Sequence, residues 1–232
     1  MSRYIGIIGA MSEELEQLLS ALTETTTYDR GGFTLYRGLL AGKWTLVSQC
    51  GVGKVNAAAL AQTLVLEGVT DVICTGVAGA LAPWLKVGDV VISRDALQHD
   101  ADVRTLGYPL GVVPGEPPSW SASEELCAAA VGAAEALAEP GVEIVLGRVV
   151  SGDQFIADPG RGQFLFDTFG GVCAEMEGAA VAQVCSRAGV PFVIIRSISD
   201  TAGDSAETDF RTFTPVVARR AKAVVRGLLE RL

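Results

Sequence analysis

Short continuous apolar runs alternate along this chain with stretches whose apolar residues return every three or four positions. Residues 4–8 form an apolar run of strand length. Residues 13–22 then place Leu15, Leu18, Leu19 and Leu22 on one helical face. Residues 33–40 and 44–49 read as two strands joined by a turn at Ala41-Gly42-Lys43. Residues 53–66 read as helix. Residues 71–75 read as a buried strand entering a glycine-rich turn, Gly76-Val77-Ala78-Gly79, and 90–93 as a further strand. The stretch 95–120 is irregular and carries Pro109, Pro114, Pro117 and Pro118; a loop of that length usually serves function or an interface. Beyond it the pattern predicts a helix over 121–137 capped by Ser121 or Ser123, a strand over 142–150 and a short helix over 159–166. A strand at 172–175, a helix at 178–188, a strand at 191–198 and a helix at 213–230 follow.

Strands and helices alternate without a break in composition and without an internal repeat. This predicts one α/β domain over residues 1–232. The neighbouring strands 33–40 and 44–49 make its sheet mixed rather than purely parallel. At 232 residues with 49% hydrophobic and 19% charged content, the chain can bury a substantial core. A net charge of −9 leaves nothing to neutralise phosphates, so no nucleic-acid partner is expected. Arg219, Arg220, Lys222, Arg226 and Arg231 read as the solvated face and last turn of the terminal helix. Residues 5–10 are too short for a signal peptide, are broken by Gly6 and Gly9, and precede Glu13 and Glu14. The best candidate for a membrane span, 64–85, contains Glu67 and Asp71. The expectation is a cytoplasmic protein with no membrane partner. Five cysteines without a C-x-x-C read as buried reduced thiols. His99 is the sole histidine, which leaves little material for a zinc site or a serine triad. It could be catalytic, but a satisfied loop histidine is the expectation.

The chemistry concentrates between Ala174 and Asp200. Glu175-Met176-Glu177 stands between an apolar run and a helix-like one, and an apolar strand runs into Arg196-Ser197-Ile198-Ser199-Asp200. Buried carboxylates need a partner or a task, and in open α/β sheets the carboxyl ends of strands are where ligands bind. Gly6-Ile7-Ile8-Gly9 lacks the dinucleotide fingerprint. Ser48-Gln49-Cys50-Gly51-Val52-Gly53-Lys54-Val55 fails as a phosphate loop: Ser48 stands in the first glycine's place and Val55 where a magnesium-binding hydroxyl belongs. Gly76-Val77-Ala78-Gly79 is either a structural turn or a ligand cradle. Phe155 and Ile156, after a strand end, are either core or a wall for a flat ring.

Seven segments in collinear order resemble the bacterial 5'-methylthioadenosine/S-adenosylhomocysteine nucleosidases of the nucleoside phosphorylase superfamily. They are Gly9-Ala10-Met11-Ser12-Glu13-Glu14, Gly51-Val52-Gly53-Lys54-Val55, Thr75-Gly76-Val77-Ala78-Gly79, His99-Asp100-Ala101-Asp102-Val103, Ser151-Gly152-Asp153-Gln154-Phe155-Ile156, Glu175-Met176-Glu177 and Arg196-Ser197-Ile198-Ser199-Asp200. The resemblance implies a three-layer α/β/α domain and hydrolysis of the bond between adenine and a 5'-thio-substituted ribose, in purine and methionine salvage. It implies no metal or organic cofactor. By resemblance Glu14 is the general base for water, Asp200 the acid that protonates adenine N7, and Glu177 the grip on the ribose hydroxyls. Glu175 and Met176 lie beside the sugar, Phe155 stacks on the base, and the Ile156 backbone meets its edge. Met11, Val52, Ala78, Gly79, Arg196, Ser199 and Phe210 match wall positions. Val103, Leu106 and Pro114 would cross a homodimer interface to cap the partner's 5' pocket. Val77 stands where serine is common and Leu106 where an aromatic residue is common. The rival readings are a phosphorylase on the same fold, an aminofutalosine hydrolase, and a nucleoside sensor without turnover.

Overall fold

In the computed structural model, which describes residues 3–137, 140–203 and 206–232 and omits the side chains of Glu13, Glu14, Gln17, Pro215 and Val216, one sheet carries the chain. Its strands are β1 (Tyr4–Gly9), β2 (Thr23–Arg30), β3 (Phe33–Leu40), β4 (Lys43–Gln49), β5 (Asp71–Ala80), β6 (Val90–Gln98), β7 (Trp120–Ser121), β8 (Ile144–Ser151), β9 (Gly171–Glu175) and β10 (Phe192–Asp200). The helices are α1 (Ser12–Ser20), α2 (Lys54–Leu66), α3 (Glu124–Leu137), α4 (Pro159–Phe169), α5 (Gly178–Ala188) and α6 (Ala206–Arg231).

The sheet is mixed, as the adjacent strands predicted. β1 runs parallel to β4 and β5, and β5 parallel to β10. β10 meets β6, and β5 meets β9, in antiparallel fashion. With the parallel pairs β6–β8 and β8–β9, the ladder β5–β10–β6–β8–β9 closes on itself. Helix α6 lies on β10 and β5 and against α1 and α3, while α2 packs on α5, so helices cover the sheet in two layers. Both faces of β5 and β10 are therefore buried, which explains their unbroken apolar runs. Among the described residues no helix is long and apolar enough to cross a membrane.

Several boundaries differ from the pattern. The segment Gly76–Gly79 is not a turn: β5 continues to Ala80, because β10 pairs with it residue by residue as far as Gly79. Glycines there permit close packing rather than reversal. β6 runs on to Gln98, so the irregular stretch starts at His99. β2 went unpredicted because it is polar and almost wholly exposed, although its run of threonines suits a strand. Helix α6 starts at Ala206, ahead of its apolar stripe. Helix α3 starts at Glu124 with Ser123 as its cap, whose hydroxyl accepts the Leu126 amide at 3.4 Å. All five cysteines are buried thiols.

Candidate active site

Strand ends from both halves of the sheet converge on a cavity of about 300 Å³. Ala10 and Met11 enter it after β1, and Val52 after β4. The Cys50 amide donates to Gly9 O at 2.9 Å and the Gly51 amide to Ala10 O at 3.2 Å, tying those two exits together. Val77, Ala78 and Gly79 come from β5, Phe155 from the loop after β8, and Phe210 from α6. Phe155 and Phe210 meet edge to face, with ring centres 5.6 Å apart, and form an aromatic corner. Ala174 to Glu177, together with Ser199 and Asp200, complete the wall. A larger hollow of about 780 Å³ between α1 and β3 has, among the described residues, one carboxylate, Glu16, which is exposed.

Ser199 and Asp200 are neighbours on one strand, yet both line the cavity. The ladder register between β10 and β5 shifts between Ile198 and Asp200, and such an irregularity re-aims a side chain that regular alternation would turn away. Asp200 is 2% exposed. Its carboxylate accepts the Ala202 amide at 2.9 Å and the Ser199 hydroxyl at 2.9 Å. Burial pushes its carboxyl above the usual carboxylate range, and the Asp209 charge adds to this, against the opposing pull of those two hydrogen bonds. A methyl group on Gly79 would stand 2.7 Å from Asp200 Oδ1, so glycine lets β5 pass directly beneath the acid.

Glu175 and Glu177 have different fates. Glu175 is saturated: it pairs with the Arg196 guanidinium, takes the Ser151 hydroxyl, and accepts the Glu177 and Gly178 amides, the latter at 2.7 Å. These amides open α5, so the carboxylate caps that helix and meets the positive end of its dipole. Losing one member of the buried Arg196–Glu175 pair would cost about 3–5 kcal/mol. Glu177 accepts the Gly53 amide at 2.9 Å and lies 3.7 Å from Arg196. It remains in the cavity wall as a carboxylate held from behind.

Not every expected wall residue lines the cavity. Arg196 is buried behind Glu175 and does not reach it. The Ile156 side chain turns into a second apolar cluster with Leu81, Leu97, Val150 and Leu165, and the residue does not line the cavity. Val103, Leu106 and Pro114 lie away from this chain's cavity, on the stretch after β6. Glu14 stands in the first turn of α1, beside the Ala10–Met11 exit, and its side chain is outside the described residues. His99 is not the satisfied loop histidine expected: it is buried, and neither ring nitrogen has a hydrogen-bond partner among the described residues. Burial pushes the pKa of its imidazole down, which favours the neutral ring. Among the described residues no cluster of histidine, cysteine and carboxylate side chains could hold a metal ion. Ala10 and Ala174 escaped the sequence reading because a small apolar side chain carries no chemical signal.

Residues 4–230 match the phosphorylase superfamily, the class that this fold and cavity define. A 5'-methylthioadenosine/S-adenosylhomocysteine nucleosidase of Shewanella sp. (strain W3-18-1) is 42% identical over 231 residues, 98% of this chain and 99% of the relative. The crystal structure of the nucleosidase of that name from Neisseria meningitidis, in complex with methylthio-immucillin-A, superposes with a TM-score of 0.95 at 37% identity. It covers 99% of this chain and 100% of that one. A futalosine hydrolase mutant of Helicobacter pylori strain 26695 superposes with a TM-score of 0.94 at 32% identity, over 99% of this chain and 100% of that one. The chain belongs to the 5'-methylthioadenosine/S-adenosylhomocysteine nucleosidase family of that superfamily.

Proposed function

We propose that this protein hydrolyses the N-glycosidic bond of 5'-methylthioadenosine and S-adenosylhomocysteine, releasing adenine and the 5-thioribose product. The observation that carries this reading is Asp200, a carboxyl whose pKa burial raises, in the wall of a largely apolar cavity that it shares with Glu175 and Glu177. Departing adenine is a poor anion, and protonation at N7 by Asp200 turns it into a neutral leaving group. The sugar carbon then becomes oxocarbenium-like, as in other glycoside cleavages. Glu177 grips the ribose hydroxyls from its place on the Gly53 amide. Glu14, on the first turn of α1, is the carboxylate that stabilises the cationic carbon and takes the proton from water. Phe155 offers its face to the base, with Phe210 behind it, and Met11, Val52, Met176 and Ser199 line the sugar and base faces. This chemistry needs no metal or organic cofactor. In this reading the enzyme works in the cytoplasm as a homodimer of one-domain subunits.

The geometry favours water over phosphate as nucleophile. Among the described residues no basic side chain lines the cavity, and Arg196 is committed to Glu175. Phosphate would instead meet Glu175, Glu177 and Asp200. A sensor without turnover would have no use for a buried carboxyl whose pKa is raised at Asp200. The likeness to a futalosine hydrolase supports a second substrate with a different 5' substituent, cleaved by the same residues. Adenine release from 5'-methylthioadenosine in phosphate-free buffer tests the reading. The expected result is full turnover without phosphate; a strict phosphate requirement with a ribose-1-phosphate product would overturn it.

A further inference from the structure

Outside the cavity, a ring of polar contacts ties two segments that supply its walls, through Val52 and Phe155, to the end of β6. The Lys54 ammonium donates to Asp100 Oδ1 at 2.6 Å and to Gln98 Oε1 at 2.9 Å. The other Asp100 oxygen accepts the Asp153 amide at 3.0 Å. Asp153 Oδ1 in turn accepts the Lys54 amide at 2.8 Å, which closes the ring. Lys54 and Asp100 are 18% and 17% exposed at their side chains, too buried for ordinary surface screening. Burial pushes the Asp100 carboxyl up, but the Lys54 ammonium and the Asp153 amide outweigh it and hold it below the usual carboxylate range.

None of these residues lines the cavity, but Lys54 and Asp153 stand close in sequence to residues that matter there. Gly53, beside Lys54, donates the hydrogen bond that holds Glu177, and does so at a φ of +100° that a side chain would strain. A methyl group on Gly53 would also come within 3.1 Å of Asp153 Oδ1, so the segments are in close approach. Asp153 lies two residues before Phe155. The ring therefore fixes where the Gly53 amide points and where the Phe155 loop sits.

We propose that Lys54 is a positioning residue: through its ring with Asp100 and Asp153 it sets the Gly53 amide that holds the Glu177 carboxylate for the ribose. This rests on the nucleosidase reading above. Without the ammonium, Asp100 would be a half-buried carboxylate that has lost its cation, and the ring would open. The backbone of 52–54 would relax, and Glu177 would lose its fixed donor. A small misplacement of a substrate-orienting group is enough to lose turnover.

The test uses full-length Lys54→Met, Lys54→Arg, Asp100→Asn and Glu177→Gln variants, with the Lys54→Met/Glu177→Gln double variant. Lys54→Met should lower kcat on 5'-methylthioadenosine by roughly 10–100-fold, and Lys54→Arg should restore most of it. In the Glu177→Gln background, Lys54→Met should cost little more, since both changes break one chain of action. Fully multiplying effects, or wild-type kcat in Lys54→Met, would overturn the proposal. Should Lys54→Met fail to fold, the isosteric Asp100→Asn takes its place with the same expectations. Hydrogen exchange of the Gly53 amide, read without substrate, should speed up in either variant, and unchanged exchange would also overturn the proposal. If the wild-type protein releases no adenine while Gly53 exchange still rises, the nucleosidase reading fails and the mechanical link stands.

Discussion

At the scale of single residues, Asp200 shows how one strand end combines chemistry with a cost. Its carboxyl is raised by burial, so the native state holds a proton that the unfolded chain releases. A raised group contributes stability that is complete below its unfolded pKa and is lost as pH rises through the folded value. Asn cannot ionise but can still accept the Ala202 amide and donate to the Ser199 hydroxyl. Asp200→Asn should therefore melt higher than wild type at pH 7–8, by ~2–4 °C for each kcal/mol recovered. The gap should narrow as pH falls toward about 4, where an ordinary carboxyl protonates. Thermal melts across that range check the sign, and a gap independent of pH would mean that Asp200 is not raised. In the proposed reaction the same variant should lose roughly 10²–10⁴ in kcat, because it removes the proposed general acid. Three acids between Ala174 and Asp200 were legible from sequence because charge in an apolar run is conspicuous. Their division of labour was not: only coordinates reveal that Glu175 is consumed by Arg196, Ser151 and the α5 amides while Glu177 still faces the cavity.

At the scale of elements, periodicity found the buried strands and the amphipathic helices but misjudged how far they run. β5 shows why. Glycine suggests a turn to local reasoning, yet β10 supplies ladder partners from Gly76 to Gly79, and pairing overrides propensity. The loop after β8 carries a second lesson, at Gly152. There the missing side chain makes room for the buried His99 ring, and a methyl group would overlap the ring and approach Asp100 to 3.1 Å. The Asp153 amide just beyond is held by Asp100, so displacement would travel to Phe155. Gly152→Ala should cost about 1–3 kcal/mol through overpacking and raise KM for 5'-methylthioadenosine. Adding His99→Ser should recover part of both, because the second change empties the space that the first one fills. Urea unfolding and steady-state kinetics on the four proteins of the cycle measure this. Wild-type stability in Gly152→Ala alone would show that the loop gives way freely and that His99 does not constrain it. Sequence could flag His99 as the lone histidine, but its burial against a glycine more than fifty positions away is set by the pairing of β6 with β8.

At the scale of the molecule, the cavity is unfinished on one side. Val52 is 50% exposed and Phe155 48%, so an apolar 5' substituent held between them would face water. Meanwhile the stretch 99–119 is anchored at several points but leaves apolar side chains exposed along it. Asp100 is tied to Lys54, and the Gly111 amide to Ala101 O at 2.8 Å. Ser119 is bonded to Asp95, and Arg148 to that same Asp95. In between, Leu106 is 72% exposed, Val103 is half-buried and Pro114 is open to solvent. Apolar side chains on a well-anchored loop are a poor use of free surface and a good use of an interface. Their place on a second subunit's open rim would give each pocket the apolar wall that a thioether substituent requires, and would exclude water from the reacting carbon. Val103→Asp or Leu106→Asp should therefore raise KM for 5'-methylthioadenosine more than for unsubstituted adenosine, and should weaken self-association. Analytical ultracentrifugation beside kinetics on both nucleosides tests the two halves together. A fully active monomer, or equal KM changes for the two substrates, would mean that each subunit closes its own pocket.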